Sequence, residues 1–135
     1  MEFKQLNTDW NAHPNGPDPE VSVIGSNVTI SFFLNNYLYN QFKEDDKGVL
    51  TFKNCSRYSF NSMNDEGYYM GKYRFKHTAL PWGYFYLLTD ADTNFSKEIM
   101  LDSSIEKEAL NHYIFFFRDN TFECMAEDFE LKFET

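Results

Sequence analysis

The chain has 135 residues, of which 42% are hydrophobic and 19% are aromatic, and its net charge is −9. A chain of this length buries roughly two thirds of its unfolded surface as one domain, and its fifteen Phe and nine Tyr supply a core of rings without disulfides. The acidic excess argues against nucleic acid and anionic membranes as partners, because both are bound through Lys and Arg. A basic protein partner is compatible with this charge, although a solubilising surface is its commoner cause.

The N-terminal segment and the cysteines indicate the compartment. MEFKQLNTDW lacks the basic start and the apolar run of a secretory signal, and every apolar run falls far short of the roughly 18 residues of a membrane span. Cys55 and Cys124 match no metal-binding spacing. The sequence therefore predicts a cytoplasmic single domain over 1–135, with two reduced thiols and no cofactor.

Residues 1–20 are predicted to form an extended, proline-rich arm. The stretch WNAHPNGPDPEV, residues 10–21, holds three of the four prolines, which lack the N–H that a helix or a central strand needs. Trp10 is the expected anchor, and the arm is expected to cover a sheet edge or a barrel end. His13 and Asp18 are its candidate contacts with a ligand.

Alternation of apolar and polar residues predicts antiparallel strands along most of the chain. VSVIGSNVTISFFL, residues 21–34, predicts a hairpin that turns at Gly25. A polar loop with one helical turn is expected over 35–48. VLTFKN, residues 49–54, predicts the next strand, and RYSF near Tyr58 is either its continuation or a separate short strand.

The middle of the chain predicts three further strands. NSMNDEG, residues 61–67, is typical of a turn, after which YYMGKYRF, residues 68–75, alternates as a strand. YFYLLTD, residues 84–90, is apolar on both faces, which favours a central position. SKEIML, residues 96–101, is the expected hairpin partner of that strand.

One short helix is predicted near residues 103–111, within DSSIEKEALNH. Ser103 can cap this helix, and Glu106, three residues later, completes a capping box. Ile105 and Leu110 would then face the core.

The C-terminal part predicts a three-stranded meander over 112–134. Its strands are YIFFF at 113–117, TFECMA at 121–126 and FELKFE at 129–134. One side of the meander should be packed, and the other, which carries Glu123, should be wet and acidic.

The predicted fold class is mainly β, that is, β-rich α+β. About eight strands without βαβ alternation favour an antiparallel sheet closed into a barrel or a sandwich. A single curved sheet, capped by the helix and the loop over 36–47, is the alternative.

Candidate catalytic residues are present but follow no known motif. A nucleophilic site needs a Cys or Ser activated by a His, and the chain offers His13, His77 and His112 with either cysteine. Cys124 lies on the packed face of a predicted strand and is expected to be a small buried hydrophobe, and Cys55 is expected to be structural. An enzyme using His13 or His77 with a nearby acid is therefore the least favoured hypothesis.

Metal and sugar sites also find little support in the sequence. The acids at 44–46 and the pair Asp90 and Asp92 lack the frame of an EF-hand loop, so no metal site is predicted. Core packing explains most aromatic residues as well as sugar stacking does. The residues considered for stacking are Trp10, Trp82, Tyr68, Tyr69 and Tyr73.

The leading functional hypothesis is a small acidic binding protein that acts through a protein partner. Bacterial immunity proteins that neutralise basic nuclease toxins share this general profile, since surface acids speed association. The alternative is a β-barrel that binds a small apolar or sugar-like ligand. The chain is expected to be a monomer or a homodimer. The residues expected to contact the partner are Glu44, Asp45, Asp46, Glu123, Glu127, Asp128 and Glu130.

Overall fold

The computed structural model describes residues 1–69, 75, 80–95 and 97–135. These residues form one α-helix, α1 (Asp65–Tyr69), one turn of 3₁₀ helix (Lys107–Ala109) and eight strands. The strands are β1 (Glu2–Gln5), β2 (Glu20–Ile24), β3 (Asn27–Phe33), β4 (Lys47–Asn61), β5 (Phe85–Thr89), β6 (Ile99–Met100), β7 (Asn111–Phe116) and β8 (Thr121–Glu134).

The strands form one antiparallel sheet in the order β1-β5-β7-β8-β4-β3-β2, with β6 paired to β4. This confirms the mainly β class with antiparallel pairing. β1 and β2 lie at opposite ends of this order, and no ladder joins them within the described ranges. The described strands therefore do not close into the predicted barrel.

The first hairpin is formed as predicted. β2 and β3 pair from Glu20 with Ser31 to Ile24 with Asn27, and Gly25 in the turn has a φ of 62°, a conformation that glycine adopts without strain. Along β3, Val28, Ile30 and Phe32 are fully buried, whereas Thr29 and Ser31 between them are only partly buried. The alternation in the sequence thus reports one packed face and one wetter face.

β4 and β8 are each longer than predicted. The two segments assigned to 49–54 and Tyr58 form one strand, β4, with a bulge between Cys55 and Arg57. The predicted meander over 112–134 has two strands rather than three, because residues 127–128 continue β8 instead of turning. β4 supplies ladder partners on both sides of that point, so the backbone gains hydrogen bonds by remaining extended.

The prediction of a helix over 103–111 is wrong. Only Lys107–Ala109 forms a 3₁₀ turn, Glu106 precedes it without a side-chain cap, and none of its residues is buried. A two-turn helix is marginal unless packing stabilises one face, and this segment has no such packing. The capping box with Ser103 is therefore absent.

The α-helix lies instead where a turn was expected. The side-chain oxygen of Asn64 accepts a hydrogen bond of 2.9 Å from the backbone N–H of Gly67, which stabilises the first turn of α1. The strand predicted at 68–75 therefore begins inside this helix. The rest of that segment, apart from Phe75, lies outside the described residues.

The pairing expected for residues 96–101 also differs. β6 pairs with Arg57 and Tyr58 of β4 rather than with β5. β5 already lies between β1 and β7, so it has no free edge for a third partner. The central position predicted for 84–90 is thereby confirmed.

Rings from strands that are not neighbours meet in the main core, which shows that the sheet curves. The ring centroids of Phe32 and Phe115 are 5.3 Å apart, although their strands, β3 and β7, are three positions apart in the sheet order. In a flat sheet that separation would be roughly 14 Å. The main core includes the buried rings of Trp10, Phe32, Phe42, Phe52, Phe85, Tyr113, Phe115, Phe117 and Phe122.

A second core covers the opposite face of β5 and β7. Neighbouring residues of these strands alternate between the two cores, so both faces of this half of the sheet are buried. The second core comprises Tyr68, Phe75, Leu80, Tyr86, Leu88, Ile114 and Phe116.

The arm behaves as predicted around Trp10, which is 4% exposed and stacks on Phe32 with centroids 5.7 Å apart. Leu6 donates its N–H to the carbonyl of Phe85, and His13 donates to that of Phe33, both at 2.8 Å. The arm thus connects β5 to β3 across one end of the main core. The start of the arm differs from prediction, since Glu2–Gln5 joins the sheet as β1.

Gly48 is required by the close approach of an aromatic ring. A Cβ at this position would lie 2.7 Å from Cε2 of Phe32, and that ring is held by Trp10 and cannot withdraw. We expect Gly48→Ala to lower the free energy of unfolding by about 1–3 kcal/mol, measured by urea denaturation. Gly16→Ala is the control, because a Cβ there has no neighbour within 4 Å; equal effects of the two substitutions would contradict this account.

Candidate functional site

The acids predicted to contact a partner fall into exposed and buried groups. Glu44 and Asp45 are exposed in the turn before β4, whereas Asp46 is 8% exposed and accepts a hydrogen bond of 2.7 Å from the backbone N–H of Lys43. Asp46 therefore orders this turn. Of the acids on β8 that were predicted to contact a partner, the exposed ones are Glu127, Asp128 and Glu130.

Lysines reduce the acidity of the exposed face of β8. Lys53 lies 3.0 Å from Glu130, and Lys132 lies 3.9 Å from the same carboxylate. Lys53 lowers the pKa of Glu130, mainly through its hydrogen bond. Glu134 is paired in register with Lys47. Charges of both signs therefore alternate over this surface.

Glu123 is buried, and its predicted place on a wet face is wrong. Its side chain is 1% exposed and contacts Nε2 of His112, which is itself 5% exposed. Cys124 points into the main core, so Glu123 lies on the opposite face of β8. That face is wet only in the half of β8 beyond residue 126, because the rest of the chain covers the half that pairs with β7.

Arg57 holds part of the segment that covers His112 and Glu123. The guanidinium of Arg57 lies 4.4 Å from the ring centroid of Phe95, and it donates 2.7 Å hydrogen bonds to the carbonyl of Thr93 and to Glu98. The ring of Phe95 in turn lies 5.4 Å from that of His112. A cation-π contact and two charge-assisted hydrogen bonds thus position the ring of Phe95 beside the imidazole of His112.

A cleft of ≈ 450 Å³ opens next to this pair. It lies between the end of β5 and the segment that leads into β7, and polar and apolar groups line it in comparable measure. Asp90, at its edge, has a φ of 54°. We name it the His112 cleft, and its lining residues are Leu87, Leu88, Thr89, Asp90, Ala91, Thr93, Lys107, Leu110, Asn111, His112 and Met125.

The contact with Glu123 determines how His112 presents itself to the cleft. The contact joins Nε2 of His112 to a carboxylate oxygen of Glu123, so this ring nitrogen is occupied. Within the described part of the chain, Nδ1 of His112 makes no hydrogen bond to the protein. The cleft is therefore lined by a buried imidazole that contacts a buried carboxylate.

A second cavity of ≈ 190 Å³ lies beneath the arm. Nδ1 of His13 accepts hydrogen bonds from the backbone N–H groups of Asn15 and Gly16, at 3.1 and 3.0 Å, so this nitrogen orders the arm. Asp18 is exposed and does not line the cavity. We name this cavity the arm pocket; it is lined by Asn11, Ala12, His13, Pro14, Asn35, Asp65, Trp82, Gly83, Phe116, Phe117 and Arg118.

The two thiols are buried beside the bulge of β4, as predicted for Cys124. Sγ of Cys55 donates to the carbonyl of Arg57 at 3.2 Å. A hydrogen bond with Cys124 lowers the pKa of Cys55, and burial raises that of Cys124 well above its usual value. Neither thiol lines a cavity described above, which fits structural roles.

Several residues that were considered as site residues from the sequence do not form a common site in the structure. His77, Tyr73 and the side chain of Tyr69 lie outside the described residues. Trp10 is in the main core and Tyr68 in the second core, so neither forms a sugar platform. In the described ranges there is no group of three potential metal ligands, and no helix there is long and apolar enough to cross a bilayer.

The pairing of His112 with Glu123 was missed by the sequence reasoning, although one signal was present. His112 alternates with Ile114 and Phe116, so the face of its strand opposite Tyr113 is also apolar. A strand that is apolar on both faces is covered on both faces. Since 121–126 was the expected neighbour of that strand, the burial of Glu123 could have been inferred.

The geometry of the two cavities is the basis for a functional assignment. Comparison with protein-family models, with curated proteins and with solved structures finds no match to this chain.

Proposed function

We propose that the chain is a small acidic binding protein that acts through a basic protein partner, in the manner of an immunity or inhibitor protein, and that it is not an enzyme. The observation that carries this proposal is the acidity of the segment beside the His112 cleft. Residues 90–108 contain six acids and two lysines, and four of these residues line the cleft. An open cleft of mixed polarity with an acidic segment beside it suits a basic partner.

This segment is a better candidate surface than β8. The acids of β8 are interleaved with lysines, and Glu130 is already paired. Glu106 and Glu108, by contrast, are exposed on either side of Lys107 at the cleft. A surface with an excess of one sign attracts an oppositely charged partner over a longer range than an alternating one does.

The thiols support a cytoplasmic location for this function. Cys55 and Cys124 are hydrogen-bonded neighbours, yet both are free. Neighbouring free thiols are typical of proteins kept in a reducing compartment.

Charge reversal tests the proposal. We expect the double substitution Glu106→Lys and Glu108→Lys to reduce the association rate with the partner about 10-fold or more at low salt, because it reverses the field beside the cleft. The partner is first isolated from the source organism by cross-linking to the unaltered chain, and rates are then measured by biolayer interferometry at two salt concentrations.

The matched control reverses two acids elsewhere, Glu44→Lys and Asp128→Lys. These substitutions should leave the rate within about twofold, since lysines already balance that surface. A loss of association in this control variant alone would place the contact on the acids of β8 and of the turn before β4. Unchanged rates in both variants would refute an electrostatic contact altogether.

A second candidate function is the binding of a small sugar-like ligand in the arm pocket rather than inside a barrel. Buried rings fill the main core, whereas the arm pocket combines the ring of Trp82 with polar groups of Asn35 and Arg118. Tryptophan fluorescence during titration with monosaccharides tests this idea. A response that persists in Trp82→Phe, or no response to any sugar, would reject it.

A further inference from the structure

The loop of the arm over 13–16 contains the elements of a self-catalysed modification. We propose that Asn15 is converted spontaneously to aspartate and isoaspartate through a cyclic imide with Gly16. These two residues form the only Asn-Gly pair of the chain, and both are exposed. The modification is a property of the arm itself and does not depend on the partner proposed above.

The backbone nitrogen of Gly16 is the nucleophile of this reaction. It attacks Cγ of the preceding asparagine and closes a succinimide ring, which is an intramolecular step. A side chain on the residue that supplies the nitrogen hinders ring closure, and glycine has none. A Cβ built on Gly16 would have no neighbour within 4 Å, so no packed atom opposes the ring.

His13 supplies a base at the hydrogen that this nitrogen must lose. Its Nδ1 accepts hydrogen bonds from the backbone N–H groups of Asn15 and Gly16, at 3.1 and 3.0 Å. Backbone N–H groups only donate, so Nδ1 carries no hydrogen and offers its lone pair to them. The imidazole can therefore take up the proton of Gly16 as the new bond forms.

Arg118 stabilises the negative charge that develops during the reaction. Its Nη1 donates a hydrogen bond of 3.2 Å to the carbonyl oxygen of Asn15 and lies 3.4 Å from Oδ1 of the same residue. That carbonyl belongs to the peptide group whose nitrogen loses its proton, and Oδ1 becomes negative when Cγ is attacked. A guanidinium beside both oxygens lowers the energy of the transition state.

β3 holds the loop on both sides of the reacting pair. His13 donates its backbone N–H to the carbonyl of Phe33, and Phe33 donates its own to the carbonyl of Pro17, both at 2.8 Å. The base and the reacting groups are thus kept close together before the reaction begins. A free peptide of the same sequence lacks this advantage.

The atoms of the reaction balance with water as the only co-reactant. The bond between the nitrogen of Gly16 and Cγ of Asn15 forms, the bond from Cγ to Nδ2 breaks, and Nδ2 leaves as ammonia with the proton that His13 took up. Water then opens the imide at either of its carbonyl groups and yields aspartate or isoaspartate. The new carboxyl group ionises at neutral pH beside Arg118, which also lines the arm pocket.

Incubation of the folded protein at neutral pH tests the proposal. Ion-exchange chromatography follows the acidic product, and mass spectrometry of proteolytic peptides locates it. We expect Asn15 to react at least about tenfold faster in the folded chain than in a synthetic peptide of residues 10–20, because the peptide lacks Arg118 and the contacts with β3. An equal or faster reaction in the peptide would overturn the proposal.

His13→Asn separates the base from the structural role of the imidazole. Oδ1 of asparagine occupies nearly the position of Nδ1 and can accept the same backbone hydrogen bonds, but it does not take up a proton. The variant should therefore slow the reaction about tenfold or more, and thermal denaturation should show that the fold is kept. A rate equal to that of the unaltered chain would refute the proposal.

Arg118→Gln tests the guanidinium in a second way that does not depend on His13. Arg118 is exposed, so the fold should be kept, and the reaction should slow about threefold. Lys132→Gln is the matched control, since it removes the same charge from a side chain that is 75% exposed on β8, and it should leave the rate unchanged. Equal rates in these two variants would contradict the role of Arg118.

Gly16→Ala shows whether the acidic product arises at this pair. The added methyl group hinders ring closure, and nothing in the fold opposes it. The variant should therefore lose most of the acidic product. Acidic product that forms in Gly16→Ala as fast as in the unaltered chain would come from another asparagine and would refute the site.

Discussion

Replacing Trp10 with alanine should lower the free energy of unfolding by about 3–5 kcal/mol. The indole is 4% exposed and contacts Phe32, Phe85 and Phe115, which belong to three different strands. Its removal leaves a cavity where the arm crosses the end of the main core, and these rings are too closely packed with one another to fill it. Urea denaturation followed by far-UV circular dichroism measures the change.

Tyr37→Ala is the control for this substitution. Tyr37 also carries a large aromatic ring, but it is 67% exposed, so its removal should change the stability by about 0.5 kcal/mol or less. A loss below about 1 kcal/mol in Trp10→Ala would mean that the arm is not an integral part of the core. Because the arm connects β5 and β3, proteolysis within residues 11–19 should also become faster in the variant.

Replacing Glu123 with alanine should lower the free energy of unfolding by about 3 kcal/mol. The substitution leaves the imidazole of His112 buried without its hydrogen-bond partner and creates a cavity between β7 and β8. Glu123→Gln keeps a hydrogen-bond acceptor in place and should cost less. Urea denaturation near neutral pH measures each variant.

The double variant with His112→Ala tests whether the two side chains act as a pair. The losses should be less than additive by at least about 1 kcal/mol, because either single substitution already removes the contact that the two side chains share. Glu130→Ala is the control, since its ion pair with Lys53 is exposed and should contribute about 1 kcal/mol at most. Additive losses at His112 and Glu123 would contradict the pairing.

The contact between His112 and Glu123 buries two ionisable side chains beside the cleft. Glu123 contacts the imidazole at Nε2, and His112 is one of the residues that line the cleft. A buried ionisable pair is not an economical way to stabilise a sheet, since well-packed apolar residues can do so without desolvation.

Local features of the sequence determined the parts of the fold in which neighbours along the chain also pack together. The alternation on both sides of Gly25 determined the hairpin of β2 and β3. The prolines and Trp10 determined an arm held by its indole, and the apolar residues beside Cys124 determined its burial. In each case the period of the pattern, or the restricted backbone of proline and glycine, is itself the physical cause.

Only the tertiary structure decided which faces and edges were covered. Glu127 and Asp128 do not form the predicted turn, because β4 supplies strand-pairing partners on both sides of this point. β4 is distant from these residues along the chain. Helix 103–111 fails because it has no surface to pack on. Glu123 and Glu130 lie on the same strand of alternating residues, yet one is buried and the other is exposed. Whether a carboxylate meets water or an imidazole depends on segments far away in the chain, and hydrophobic alternation along one strand carries no information about them.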